Sequence, residues 1–98
     1  MKAAAPKAQD EENMSERLLR LRVSLAGSQV EFCRQYGFTV SQWSNYENGR
    51  PVGKAAAMKL VRRIHGLTLD WIYLGNSSGL TMEMARRLDV LPRLDPKA

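Results

Sequence analysis

The sequence predicts an all-α domain of five short helices followed by a short sixth, and three observations carry that prediction. Apolar residues recur three and four positions apart. Ser, Thr or Asn stands at the head of most apolar runs, and a glycine closes most of them. No run alternates apolar and polar residues with period two over a useful length, so no sheet is expected. Ninety-eight residues make one small domain, able to bury a core without disulfides or a metal. With one cysteine, Cys33, the chain has neither a disulfide framework nor a CxxC pair for zinc, which suits a reducing compartment.

Residues 1–13 mix Ala, Pro, Lys and acidic residues without apolar period and are expected to be disordered. The first helix is predicted over 14–26. Asn13 and Glu16 have capping-box spacing, Met14, Leu18, Leu21 and Leu25 form a core stripe, and Gly27 supplies the stop. The second, over 29–36, repeats this grammar with Ser28 and Glu31 as its box, apolar Val30, Phe32 and Cys33, and Gly37 as its stop. The third, over 40–47, opens on a third box, Thr39 with Gln42, and ends at Asn48-Gly49 before Pro51. The fourth is predicted over 54–65, with Ala55–Ala57 favouring helix and Met58, Leu60, Val61 and Ile64 apolar. Thr68 caps a fifth over 69–74. A loop from Asn76 to Gly79 leads to a sixth over 81–88 and a loose tail. The predicted organisation is therefore a disordered segment, 1–13, a helical domain, 14–75, and an extension, 76–98.

Charge is uneven. Residues 14–66 hold nine lysines and arginines against three acidic residues, a net +6, while residues 67–98 balance four against four. A basic middle attracts polyanions, nucleic acid foremost. There is no run of ~20 apolar residues for a membrane helix and no apolar segment behind Lys2 and Lys7 for a secretory signal. The expectation is a cytoplasmic protein, bacterial or phage-encoded, without a membrane partner.

The second and third helices are separated only by Gly37, Phe38 and Thr39, a connection that suits a helix-turn-helix. The residues sharpen this. Gln29-Val30-Glu31-Phe32-Cys33, then Gly37, Thr39, Trp43 and Tyr46-Glu47-Asn48-Gly49-Arg50, resemble the phage repressor and Cro-type (XRE-like) helix-turn-helix family, and Leu67-Thr68-Leu69-Asp70-Trp71 resembles its fifth-helix signature. The resemblance covers about residues 14–75. It implies a five-helix, lambda-repressor-like domain that binds a double-stranded DNA operator, commonly as a homodimer, and hence a transcriptional regulator, expected to be a repressor.

The resemblance also distributes roles. Gln29 falls where the family holds a phosphate, and an amide donor beside a helix N-terminus suits an anion, although simple capping is the bland alternative. Trp43 and Tyr46 are expected in the core, so Ser41, Ser44 and Asn45 face outward, flanked by Val40 and Gln42. Asn and Gln can bond adenine, serine can donate or accept, and valine can touch a thymine methyl. Asn48 and Arg50 match a second phosphate clamp, and Lys54 is a candidate third. Lys59, Arg62 and Arg63 read as a solvated face. Arg22 and Glu47 match a family ion pair that ties the end of the third helix to the first, for which Arg offers a planar fork. The apolar content from Trp71 to Leu88, namely Ile72, Leu74, Leu80, Met82 and Met84, makes this stretch the candidate dimer interface. Its alternative is packing onto its own domain, and Trp71 fits either.

Catalysis is not expected. His65 ends a helix, where the dipole favours it, Cys33 reads as a buried core thiol, and neither a phosphate loop nor a ligand cluster is visible. No cofactor or metal is implied. Twenty-three residues follow Gly75, short of a separate sensing domain, so no small-molecule ligand is expected. The rival reading uses the same fold as an antitoxin or antagonist that binds a protein. Nonspecific DNA architecture fits poorly with a third helix whose outer face is polar rather than cationic.

Overall fold

Every helix start but that of the fourth, which follows Gly53, is set by a side chain that accepts a backbone N–H, one of the donors a helix leaves without an internal partner. A computed structural model describes residues 12–90. It contains α1 (Met14–Leu25), α2 (Gln29–Tyr36), α3 (Val40–Glu47), α4 (Lys54–Arg63), α5 (Leu69–Leu74) and α6 (Met82–Leu88), and no strand among the described residues. The all-α class is thus as the sequence indicated. Asn13, Ser28, Thr39, Thr68 and Thr81 each accept the N–H three residues on. Only the Asn13–Glu16 box is reciprocal. The other two predicted boxes are half-formed because a better partner takes each return group. Glu31 pairs with Arg34, and the Gln42 amide donates to the Tyr46 hydroxyl at 2.9 Å.

Three boundaries move. α6 starts at Met82 rather than 81, because Thr81 is its cap. α1 stops at Leu25 rather than 26, and α4 stops at Arg63 rather than 65. At α4 the cause is Ile64, whose backbone turns extended (φ −114°, ψ 104°) so that its side chain can enter the core. The buried face of the α4 segment shares Leu60 and Ile64 with the apolar positions predicted and is shifted toward two alanines. Ala56, Ala57 and Leu60 are buried, while Met58 and Val61 are half-buried. Val30, expected to be an apolar anchor of α2, is instead 61% exposed.

The core is built on α1. Its Leu18 and Leu21 are fully buried, and α1 packs against α2, α3, α5 and α6. Phe32, Phe38, Trp43 and Tyr46 form an aromatic cluster where α2 meets α3, with Trp43 centroids 4.5 Å from Phe32 and 5.1 Å from Phe38. Trp71 and Ile72 of α5 complete the far side. The core does not end at Gly75, where the predicted domain did. Met84, Ala85, Leu88 and Val90 are buried in it, so α6 belongs to the domain rather than to an extension.

The stretch Trp71–Leu88, expected as a dimer interface, puts most of its apolar side chains into this same core. Trp71, Ile72 and Met84 pack into their own domain and Leu80 is partly buried, which leaves Tyr73, Leu74 and Met82 as the large exposed apolar side chains of that stretch. The disorder expected of 1–13 and the loose tail expected from 89 onward lie largely outside the described residues, and the four of their residues that are described are held: the Glu12 carboxylate accepts from Arg20, Asn13 caps α1, Asp89 caps the end of α6 and Val90 is buried.

Three arginines of α1 explain how the helices are locked. Arg17, only 5% exposed, donates from Nε to the Ile72 carbonyl at 3.0 Å and from Nη2 to the Tyr73 carbonyl at 3.0 Å, closing the C-terminal end of α5. Its Nη1 bonds the Glu12 carbonyl. Arg20 reaches the Leu88 carbonyl at the end of α6. Arg22 serves α3, described next. Among the described residues no helix is long and apolar enough to cross a membrane.

Candidate nucleic-acid interface

The geometry of α3 follows from one turn and one carboxylate. The turn is Gly37-Phe38-Thr39. Gly37 adopts φ +85°, a left-handed conformation that favours glycine, and the exposed end of Arg63 lies close by. The Lys59 ammonium donates to the Gly37 carbonyl at 2.6 Å and lies 4.7 Å from the Phe38 ring centroid. Lys59, read as part of a solvated face, therefore braces the turn from α4. Phe38 plugs the turn into the core, and Thr39 caps α3.

The carboxylate is Glu47, at the last turn of α3. Arg22 Nη2 donates to Oε1 at 2.8 Å and Arg22 Nε to Oε2 at 2.9 Å, a bidentate fork. Gln29 Nε2 adds a bond to Oε1 at 3.1 Å, and Trp43 Nε1 one to Oε2 at 2.6 Å. Each oxygen thus receives two donors, from α1, α2 and α3 itself. The Glu47 side chain is 8% exposed and that of Arg22 16%. Burial raises the Glu47 carboxyl pKa, but the bonds from Arg22, Gln29 and Trp43 and the guanidinium charge outweigh it, leaving the group below its ordinary value. The same bond raises the Arg22 pKa against desolvation. Burial pushes the Cys33 thiol up, which suits its place in the core beside this cluster.

With α3 so anchored, its outer face can be read off. Val40, Ser41 and Asn45 are exposed, and neither Ser41 nor Asn45 donates or accepts a side-chain bond among the described residues. Gln42 and Ser44 are half-buried. The Gln42 amide is committed to Tyr46, and Ser44 receives the Asn48 side chain through its carbonyl at 2.8 Å and its hydroxyl at 3.4 Å. The predicted reading face therefore divides into a ready set, Val40, Ser41 and Asn45, and a tethered set, Gln42 and Ser44. Gln29 flanks the face from the start of α2, with one amide hydrogen engaged by Glu47. On the other side Arg50 and Lys54 are exposed in and after the turn. Asn48 is the least prepared of the predicted clamp. Its side chain turns back to Ser44, and the backbone N–H groups of Asn48, Gly49 and Arg50 all bond α3 carbonyls.

No protein-family model, curated protein or solved structure matches this chain.

Two members of the arrangement escaped the sequence reading. Trp43 was expected only to fill the core, yet its indole N–H joins the Glu47 cluster; the i, i+4 spacing of Trp43 and Glu47 was the available signal. Tyr73 donates its hydroxyl to the Val52 carbonyl at 2.9 Å, fixing the loop that carries Arg50 and leads to Lys54, and nothing in the sequence marks that contact. Among the described residues no group of three or more His, Cys, Asp or Glu side chains could hold a metal ion. The exposed lysines and arginines that lack an internal partner among the described residues are Arg50, Lys54, Arg62, Arg63, Arg86 and Arg87.

Proposed function

We propose that this chain is a non-enzymatic, sequence-specific DNA-binding transcriptional regulator, a repressor that occupies its operator through a helix-turn-helix formed by α2 and α3. The phage repressor and Cro-type resemblance supplies the class. The observation that carries the reading is the combination on α3 of an inner face locked by the Glu47 cluster and an outer face of exposed, unengaged Val40, Ser41 and Asn45. Polar side chains held rigidly on an exposed helix are what base reading in the major groove needs, since each bidentate contact depends on its approach angle. Asn45 bonds an adenine edge, Ser41 a neighbouring base, and Val40 a thymine methyl. Gln42 and Ser44 join after releasing their internal partners. Gln29, Arg50 and Lys54 hold phosphates on either side, with Asn48 a clamp that forms on binding, and these contacts set register without reading sequence. The chain acts in the cytoplasm as a homodimer on two half-sites, with no cofactor.

Selection from a random duplex library, followed by gel shift under excess nonspecific competitor, tests this. The expected result is an enriched motif with half-sites one helical turn apart, shifted at competitor levels that abolish random-sequence binding. No enrichment, together with a stoichiometric complex with a protein such as a toxin, would replace the reading with the protein-interaction one.

A further inference from the structure

We infer that Trp43 is a positioning residue for base reading: its indole N–H selects the Glu47 rotamer, and so fixes the rotation of α3 about its own axis, without touching DNA. The inference rests on the DNA-reading function proposed above and adds a specificity determinant to it.

The Trp43 ring is fully buried and gripped by Phe32, Phe38 and Tyr46, so Nε1 has a fixed position. From there it donates to Glu47 Oε2 at 2.6 Å, one turn further along the same helix. That bond orients the carboxylate from within α3. The oriented carboxylate then receives the flat Arg22 fork from α1 and the Gln29 amide from α2. Packing alone resists separation of α3 from the core but is non-directional, so it restrains rotation poorly. A charge-assisted hydrogen bond is directional and supplies what packing lacks. Asn45 lies two residues from both Trp43 and Glu47, about 200° around the helix from each. Any rotation that slackens the anchor therefore swings Asn45 across the opposite face, where an adenine contact tolerates little misalignment. A phenylalanine or leucine would fill much of the same space yet leave Oε2 with Arg22 Nε alone.

The test replaces Trp43 with benzothienylalanine, which keeps the bicyclic ring and puts sulfur in place of the N–H, and in parallel makes Trp43→Phe. Each is compared with wild type for affinity to the selected operator and to a random duplex, with circular dichroism as the check on folding and amide exchange of α3 against α6 as a DNA-independent readout. The expected result is an operator affinity lowered about tenfold, random-duplex affinity within about twofold, and faster exchange confined to α3. A merely structural role would lower thermal stability and both affinities together. An unchanged ratio of operator to random affinity in a folded analogue overturns the proposal while leaving the function standing. A wild-type protein that discriminates no sequence overturns the function and the specificity role with it, and the exchange rates then report separately whether the indole anchors α3.

Discussion

Arg17→Met is the sharpest probe of how α1 organises the domain. The Arg17 guanidinium, 5% exposed, bonds the carbonyls of Ile72 and Tyr73 at 3.0 Å each, and that of Glu12. The first two belong to the last turn of α5, whose carbonyls have no internal donors. Methionine retains much of the buried stem and supplies no donor, so the buried Ile72 carbonyl and the part-buried Tyr73 carbonyl lose their partner, at about 1–3 kcal/mol for the first and less for the second. Part is offset because a buried guanidinium is itself costly to desolvate, and burial does lower its pKa against the opposing charges of Glu12 and Glu16. The net expectation is a loss of about 2–4 kcal/mol, a large share of a total stability of about 5–15 kcal/mol. Urea unfolding followed by far-UV circular dichroism measures it. Arg17→Lys should recover about half, because one ammonium cannot serve two carbonyls with the geometry of a planar fork. A loss below about 0.5 kcal/mol for Met, or a lysine variant as stable as wild type, would refute the role.

Further predictions concern the candidate site. A double-mutant cycle on Arg22→Ala and Glu47→Ala should give a coupling of about 1.5–3 kcal/mol, above the 0–1 kcal/mol of exposed pairs, and a coupling indistinguishable from zero would end the anchor argument. Glu47 has a folded-state pKa below its ordinary 4.5, so its contribution to stability is present above that value and is lost as pH falls through the depressed one. Acid titration of unfolding free energy should therefore lose part of its slope below pH 4.5 in Glu47→Gln. Asn45→Ala should weaken operator binding by about 1–3 kcal/mol and relax specificity at one base pair, whereas Gln29→Ala weakens all sequences evenly; identical selectivity profiles would contradict that division. If each subunit of a dimer neutralises about four phosphates, log K against log salt has a slope near −7, and a slope near zero would favour a protein partner.

The helical frame was legible because its signals are local. A cap and a glycine stop are decided within four residues, and the four caps expected, Asn13, Ser28, Thr39 and Thr68, all formed, while Thr81, expected inside the sixth helix, proved to be its cap. What failed required knowing a neighbour. Val30 has the composition of a core residue but lies on the outer side of α2, and Ala56 and Ala57 are buried because α4 runs close enough to its neighbours for a methyl to fill the gap. The capping boxes at Ser28 and Thr39 lost their return bonds to Arg34 and Tyr46, partners that spacing alone did not rank. α6 looked like an extension because its apolar residues are few. It is core because Met84, Ala85 and Leu88 all fall on the side facing α1.

The candidate site was less legible for a reason that lies in the charge count. A net +6 over residues 14–66 treats every cation as free for a polyanion. The fold divides them. Arg17, Arg20, Arg22 and Lys59 are committed to carbonyls or carboxylates at the ends of α5, α6, α3 and α2, where partial negative charge collects. Arg34 is paired with Glu31. Arg50, Lys54, Arg62 and Arg63 remain, and only the first two adjoin α3 in sequence. The basic composition of the middle segment thus serves two ends. About half of it ties helix ends to the rest of the fold, α3 among them. The remainder is exposed, and under the proposed function it is what attracts phosphate. Segment charge overstates the second use because helix C-termini compete for the same side chains, so a small domain can be basic in composition while much of that charge is spent on its own fold.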